Sequence, residues 1–315
     1  MCRRLTKELA FLLGAYAAEG HTSVSNWSVV VTNSVPAVLA RVKAAWKSEF
    51  DLNAVIYSPP NRCAGVRVAS KRAALLLEAM GCGHRASSKR IPETVMSGTR
   101  DAVLAFLQGL ALDAYVIAGA APKWAICLDS SALLDDLQLL LRRLGYVSSR
   151  VHKLNRQNGK TYDEVYLPGQ QAQRFLAEVP FLEPDKSLRA SVLQSRWVAQ
   201  STADIVPLIS GPDLYALIPR GRPGRRGRGT SRSGFAFLSD PRTRFVSRRS
   251  LERAAAFPGV CLPGELRRVL TDEIHFSPVA AISTNPGKNR TPSGCGSVDS
   301  LRPGRRSMRS SPVRS

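Results

Sequence analysis

The clearest pattern along the chain is an order of apolar and polar segments that occurs twice. Residues 5 to 20 carry apolar side chains on nearly every face of a helix, which predicts a helix buried on more than one side. Short β-rich and helical segments follow it, and a similar succession starts at about residue 100. Each copy predicts the order α-β-α-β-β-α, so we expect an α+β fold made of two repeats related by a pseudo-twofold axis.

The predicted elements can be placed in both copies. In the first copy, helices are predicted at 5–20, 35–50 and 71–80, and strands at 27–32, 54–57 and 64–69. In the second copy, helices are predicted at 100–113, 131–144 and 170–178, and strands at 124–128, 147–153 and 164–167.

The composition changes after about residue 200. The stretch 218–234 is rich in arginine and glycine and predicts a flexible basic loop, and short elements are expected after it at 235–238, 247–256 and 263–270. Residues 285–315 contain few apolar side chains and predict disorder. We therefore expect four regions: a first repeat at 1–95, a second at 96–195, a basic accessory region at 196–284 and a disordered basic tail at 285–315.

The charge of the chain narrows the choice of partner. Its 315 residues include 45 Lys and Arg against 24 Asp and Glu, a formal net charge of +21, which attracts polyanions and makes nucleic acid the expected partner. The alternative is a basic tail on an unrelated globular protein. The six cysteines are scattered without zinc-site spacing, and neither a signal peptide nor an apolar run of membrane-spanning length is found. These features predict a soluble cytoplasmic protein, associated with the nucleoid and not with a membrane.

Candidate chemistry lies at the ends of the two apolar helices. Phe11–Gly20 and Phe106–Tyr115 both have a small residue in the middle, Gly14 or Gly109, and an acid near the end, Glu19 or Asp113. Small residues let two helices approach closely. Two carboxylates brought together in this way can bind Mg²⁺ or Mn²⁺. The alternative is that Glu19 and Asp113 only terminate helices.

Two lysines occupy similar places in the two copies. Lys89 lies 70 residues after Glu19, and Lys186 lies 73 residues after Asp113, each just past the last predicted helix of its repeat. A lysine beside a scissile phosphate can stabilise the negative charge that develops during hydrolysis. In so basic a chain, either lysine alone could also be a solvated surface charge.

Basic side chains accumulate around the predicted strands and in the arginine-rich stretch. A sheet with helices on one face and basic residues on the other can lie along DNA. The alternative is a basic sheet that only faces solvent. The candidate DNA-binding residues are Arg62, Arg67, Arg150, Lys153, Arg156, Lys160, Arg225, Arg226 and Arg228.

These motifs resemble those of the LAGLIDADG (DOD-type) homing endonucleases, in the two-motif form found within inteins. Phe11–Gly20 is similar to the first motif, and Lys89–Glu93 followed by Phe106–Tyr115 is similar to the lysine-proline block and second motif. The resemblance implies a monomer that cleaves both strands of double-stranded DNA. It also implies two antiparallel sheets that form a saddle on the DNA, with Glu19 and Asp113 as metal ligands.

A second resemblance concerns the C-terminal region. Asp272–Ile282 looks like the start of an intein's C-terminal splicing block. An N-terminal splicing block and the terminal His-Asn pair are not found, so we expect an intein-derived chain that lacks a complete splicing domain and does not splice.

The second motif departs from the family pattern. Aligned without a gap, the final acid of the motif falls on Ala114, and Asp113 comes one residue early. Either the helix end is shifted so that Asp113 still reaches the metal, or half of the active site is impaired. We favour the first interpretation, since Asp113 is the only acid at that helix end, and it predicts an active endonuclease. The second interpretation predicts a catalytically degenerate DNA-binding protein.

Overall fold

The structure is a computed structural model that describes residues 5–154, 159, 161–196, 204–219, 232–272, 274 and 276. The first repeat consists of α1 (Lys7–Glu19), β1 (Gly20–Ser23), β2 (Ser28–Thr32), α2 (Pro36–Phe50), β3 (Val55–Tyr57), β4 (Gly65–Ala69) and α3 (Lys71–Ala79). A 3₁₀ turn (Ala86–Ser88) and a short helix α4 (Glu93–Met96) lead into the second repeat.

The second repeat follows the same order. Its elements are α5 (Arg100–Leu110), a 3₁₀ turn (Ala111–Asp113), β5 (Ala114–Ile117), β6 (Lys123–Leu128), α6 (Ser131–Arg143), β7 (Ser149–Leu154), β8 (Thr161–Pro168), α7 (Gly169–Glu178) and α8 (Pro184–Ser195). The strands pair antiparallel in the orders β1-β2-β4-β3 and β5-β6-β8-β7, so the two sheets have the same topology. Two such four-stranded sheets fit the expected saddle.

The predicted α+β fold of two repeats is confirmed, and each repeat has one strand more than predicted. β1 and β5 start directly after the two acids, where we expected loops. The sequence Gly-His-Thr-Ser of β1 has no alternating apolar pattern, and its pairing with β2 holds it in the sheet. Helix α8 was not predicted either, because its apolar stripe is weak, so Lys186 lies in the first turn of a helix and not in a loop.

Two serines cap helices as their positions suggest. The hydroxyl of Ser70 accepts a hydrogen bond from the Ala73 amide at 3.2 Å, and that of Ser130 accepts one from the Leu133 amide at 3.1 Å. Both caps satisfy backbone donors that have no partner within the helix, which fixes where α3 and α6 begin.

A smaller region with its own apolar core follows the repeats. It contains β9 (Ile205–Val206), α9 (Gly211–Leu217), a 3₁₀ helix (Arg232–Ser239), β10 (Val246–Ser247), α10 (Arg248–Ala255) and α11 (Gly264–Thr271). The elements predicted at 235–238, 247–256 and 263–270 are confirmed. The arginines expected at 225, 226 and 228 and the tail at 285–315 lie outside the described residues. Among the described helices, none combines the length and apolar character that a membrane span requires.

The centre of the molecule is the contact between α1 and α5. Every residue of α1 from Leu9 to Ala17 is buried, which explains its lack of a polar face. A Cβ atom added to Gly14 would lie 2.0 Å from the carbonyl oxygen of Phe106, and one added to Gly109 would lie 2.2 Å from that of Phe11. The two backbones are therefore in direct contact at glycine in both helices.

Candidate active site

The two paired helices end in different ways at their acids. α1 stays α-helical up to Glu19, five residues after Gly14, whereas α5 changes into a 3₁₀ turn that ends at Asp113, four residues after Gly109. Five α-helical steps rise about 7.5 Å, and two α-helical plus two 3₁₀ steps rise about 7 Å. The 3₁₀ turn thus compensates for the missing residue, and this geometry favours the shifted-end reading of Asp113 over an impaired half-site.

Glu19 and Asp113 are electrostatically coupled. Burial, together with the negative charges of Asp113 and Glu183, raises the pKa of the partly exposed Glu19 to about 7. Lys186 and a hydrogen bond from Asn33 oppose that rise. Asp113 is exposed, but desolvation by the surrounding protein raises its pKa to about 6 against the effect of nearby Lys186 and Lys89. Two carboxyl groups with raised pKa values therefore lie at one place.

Lys89 is buried at the end of α1. Only 3% of the residue is exposed, and its ammonium donates hydrogen bonds to the carbonyl oxygens of Ala17 at 3.0 Å and Ala18 at 3.4 Å. A cation at the C-terminus of a helix stabilises the carbonyls that have no amide partner. Burial lowers the pKa of Lys89 to about 8, although Asp113 and Glu19 oppose this shift. Lys89 is thus a buried structural charge next to both acids, not a solvated one.

Lys186 makes the equivalent contact in the second repeat. Its ammonium donates to the carbonyl oxygen of Leu112 at 2.5 Å, directly before Asp113, and to Glu183 at 2.8 Å. The side chain is 28% exposed, so it reaches the surface where Lys89 does not. The four residues predicted to be catalytic are therefore assembled in one cluster, with one acid and one lysine from each repeat.

The donor set of this cluster fits Mg²⁺ or Mn²⁺. Mg²⁺ is typically held by one or two carboxylates, with water and substrate phosphate oxygens completing the octahedron. Burial disfavours the charged forms of Glu19 and Asp113 and raises both pKa values, and a bound cation would offset that cost. Within the described residues no group of three or more His, Cys, Asp or Glu side chains is placed to hold a metal ion, so Glu19 and Asp113 are the two candidate ligands.

The second sheet carries a polar cluster on the face away from the helices. Glu164 on β8 is fully buried and accepts hydrogen bonds from Lys123 at 2.5 Å, from Lys153 and from the Tyr115 hydroxyl. The lysine ammoniums also lie over aromatic rings, Lys123 over Tyr166 at 4.8 Å and Lys153 over Tyr115 at 5.5 Å. Lys153 is on the open face as expected, but a carboxylate balances part of the positive charge there.

The open face of the first sheet has a different character. Arg67 is exposed there, pairs across the sheet with Val30 and Val55, and lies 5.5 Å from the centre of the Tyr57 ring. Arg62 is exposed in the turn that joins β3 and β4. Both arginines are therefore exposed to solvent, and their contact with DNA stays a prediction.

The expected placement of Arg150 on the open face is wrong. Arg150 pairs across the sheet with fully buried Val165, on the face that carries the helices, and its guanidinium is bound to Asp135 of α6 at 2.5 Å and to Asp163. The alternation of β7 decides this orientation, and the predicted strand did not specify which face would be covered. Arg156 and Lys160 lie outside the described residues.

Several residues of these sites were not predicted from the sequence. Glu183, Asn33, Tyr115, Lys123 and Glu164 were not singled out. The alternation of side chains along a strand could have indicated Lys123 and Glu164. Glu164 is the first residue of the strand predicted at 164–167, and Lys123 directly precedes the strand predicted at 124–128. Glu183 and Asn33 reach the site only through the tertiary fold.

The four described cysteines, Cys63, Cys82, Cys127 and Cys261, are free thiols, as expected from their scattered positions.

Both repeats match the family model of the LAGLIDADG-like domain, over residues 6–78 and 101–180. Over 185 residues the chain is 26% identical to the replication factor C small subunit of Methanocaldococcus jannaschii; the match covers 57% of this chain and 10% of that protein.

Solved structures with a similar fold include full-length DUF199/WhiA from Thermatoga maritima, with 14% identity, a TM-score of 0.42, and coverage of 64% of this chain and 65% of that one. Another is the homing endonuclease I-DmoI in complex with DNA and Ca, with 16% identity, a TM-score of 0.44, and coverage of 62% and 100%. A third is the homing endonuclease I-WcaI bound to its DNA recognition sequence, with 12% identity, a TM-score of 0.40, and coverage of 60% and 88%.

Proposed function

We propose that this chain is a homing-type endonuclease that binds double-stranded DNA and hydrolyses both strands in a reaction that depends on Mg²⁺ or Mn²⁺. The observation that carries the proposal is the coupling of Glu19 and Asp113 at the ends of two helices held together by Gly14 and Gly109. The match of both repeats to the LAGLIDADG-like domain supports it.

Glu19 and Asp113 are the proposed ligands of the cation. A bound divalent cation neutralises charge on the scissile phosphate and makes water a better nucleophile at neutral pH. Both carboxyl groups must lose their protons to bind the cation, and their pKa values of about 7 and 6 place this loss near neutrality. Cation binding therefore strengthens as the pH rises from 6 to 8.

The lysines have different parts in this proposal. Lys186 is partly exposed and can donate a hydrogen bond to a phosphate oxygen, because only two of its three N–H donors are used. Lys89 is buried and holds the end of α1, so its positive charge acts on the site without direct contact with DNA. Since one chain supplies both acids and both lysines, the proposed active form is a monomer with internal pseudo-twofold symmetry.

DNA binding is assigned to the open faces of the two sheets. Arg62, Arg67 and Lys153 are the described candidates from the sequence, and Lys123 joins them. The net charge of +21 favours binding to phosphates and makes the affinity strongly salt-dependent. The arginines at 225, 226 and 228 would add further phosphate contacts.

We further propose an intein origin. The match with the Methanocaldococcus jannaschii protein covers only a tenth of that protein, as expected for an endonuclease embedded in a longer host. The splicing-like segment Asp272–Ile282 lies largely outside the described residues. Reading the genomic sequence on both sides of this coding region tests this origin: remains of splicing blocks would support it, and an unrelated context would refute it.

A cleavage assay tests the enzymatic proposal. The substrate is a plasmid with the host locus joined as it would be without the coding sequence of this chain. We expect linear product with Mg²⁺, none with EDTA, and a loss of at least about 1000-fold in rate for Glu19→Gln combined with Asp113→Asn. Cleavage that survives both substitutions would refute it. Salt-sensitive binding of intact DNA by the unaltered protein would instead establish the catalytically degenerate DNA-binding protein.

A further inference from the structure

A third carboxylate lies beside the two proposed cation ligands. Glu183 is only 7% exposed, and its position directly before α8 brings it into the second repeat's half of the site. Its Oε1 atom accepts a hydrogen bond from Lys186 at 2.8 Å, whereas its buried Oε2 atom has no hydrogen-bond partner. A buried carboxylate oxygen without a partner is costly, so its retention calls for an explanation.

Hydrogen bonds connect Glu183 with the site. The Lys186 ammonium donates to Glu183 at 2.8 Å and to the carbonyl oxygen of Leu112, directly before Asp113, at 2.5 Å, and the charge of Glu183 also acts on Glu19. Nearby negative charge of this kind disfavours ionisation of Glu19 and favours a cation.

The first repeat has no equivalent of this residue at the matching place. Glu183 precedes Lys186 by three positions, and the residue three positions before Lys89 is the exposed Ala86. Lys89 donates to two backbone carbonyls, whereas Lys186 donates to one carbonyl and to Glu183. The two halves of the site thus differ by one buried negative charge.

We propose that Glu183 is a positioning residue of the cation site: it holds the Lys186 ammonium against the carbonyl of Leu112, and its buried charge on the Asp113 side of the site strengthens cation binding. This inference rests on the proposed function, since it assumes that Glu19 and Asp113 bind the cation.

The test measures Mn²⁺ affinity of the full chain without DNA, by electron paramagnetic resonance of free Mn²⁺. Glu183→Gln keeps the shape of the side chain and removes its charge, and we expect Mn²⁺ binding to weaken by about threefold to tenfold. Glu183→Asp restores part of the affinity. The matched control is Glu49→Gln, because Glu49 is 8% exposed and lies near Thr6 at the opposite end of α1; it should bind Mn²⁺ like the unaltered protein.

A second variant gives a change of opposite sign, which unfolding cannot mimic. Lys186→Met removes the positive partner and leaves the Glu183 carboxylate, so Mn²⁺ binding should become tighter. Unchanged affinity in both Glu183→Gln and Lys186→Met would overturn the role of Glu183. If instead Glu19→Gln with Asp113→Asn leaves Mn²⁺ binding unaltered, the proposed cation site itself fails, so the two failures are distinguishable.

Discussion

The two repeats share one backbone plan, but matched positions of their sheets carry different chemistry. Gly65 of the first repeat and Glu164 of the second occupy matching positions in their sheets. Each directly precedes a valine, and these two valines pair with equivalent residues of β2 and β6. At Gly65 the Tyr57 ring fills the space, and an added Cβ would lie 3.1 Å from it. At Glu164 a buried carboxylate holds two lysines.

The helix ends show the opposite behaviour. Gly14 and Gly109 make equivalent contacts, and a lysine binds the last carbonyls in front of each acid. Close packing thus keeps the contact between α1 and α5 the same in both repeats. The open faces of the two sheets are not constrained in this way, so they can carry different residues and contact different surfaces. For the proposed function, this difference allows the two halves to contact different DNA sequences.

Substitutions at the shared centre of α1 and α5 should reduce stability most strongly. Gly14→Ala and Gly109→Ala should each lower the free energy of unfolding by about 3 kcal/mol or more, because the new methyl group would overlap a backbone carbonyl that cannot move alone. Urea unfolding followed by circular dichroism measures the loss. Gly264→Ala is the control, with open space around its Cβ position and an expected change within about 0.5 kcal/mol. Similar stability for all three variants would show that the two helices are not in contact.

The next effect separates the sheets. Glu164→Ala removes the carboxylate that binds Lys123 and Lys153, and we expect a loss of about 2 to 3 kcal/mol, less than for a fully buried pair because both lysines can reach solvent. The same unfolding experiment applies. The exposed Glu78 provides the control, and Glu78→Ala should be nearly neutral. A neutral Glu164→Ala would remove the proposed difference between the sheets.

A pH-dependent effect tests the acids. The fold raises the pKa of Glu19 from 4.5 to about 7. The neutral carboxyl group therefore makes its full contribution to the free energy of unfolding below pH 4.5, and this contribution is lost as the pH rises through 7. Glu19→Gln should therefore be more stable than the unaltered protein at pH 8, by about 1 to 2 kcal/mol after allowance for solvent screening. The difference should disappear near pH 4.5. An equal difference at both pH values would mean that charge is not its cause.

The smallest effect concerns DNA contacts. Arg67→Ala should weaken binding of duplex DNA by about threefold to tenfold and reduce the slope of log affinity against log salt by about 1. Arg150→Ala should leave that slope unchanged, because Arg150 is bound to Asp135 and Asp163 on the helix side of the sheet. Fluorescence anisotropy at several salt concentrations distinguishes them. The opposite order of effects would place the DNA on the other face.

The sequence was sufficient for features that depend on local pattern. The two apolar helices, their glycines and the duplicated order of elements follow from periodicity and spacing. The convergence of Glu19, Asp113, Lys89 and Lys186 was inferred from the same repetition.

Other features depend on tertiary context. β1 exists because β2 pairs with it, and the 3₁₀ turn at Asp113 compensates for one missing residue in a way that no local pattern reveals. The side of the sheet on which Arg150 lies follows from register, where a shift of one residue reverses every side chain. Glu183 reaches the site through a helix whose apolar pattern was too weak to predict.

The most direct test of the paired acids is a pH titration of their carboxyl groups by carbon-13 NMR, in the absence of divalent cations. Glu19 should titrate with a pKa of about 7 in the unaltered protein, and Asp113→Asn should lower that pKa because a neighbouring negative charge is removed. A Glu19 pKa that is the same in both proteins would contradict the account, since the two helix ends would then not bring their acids together.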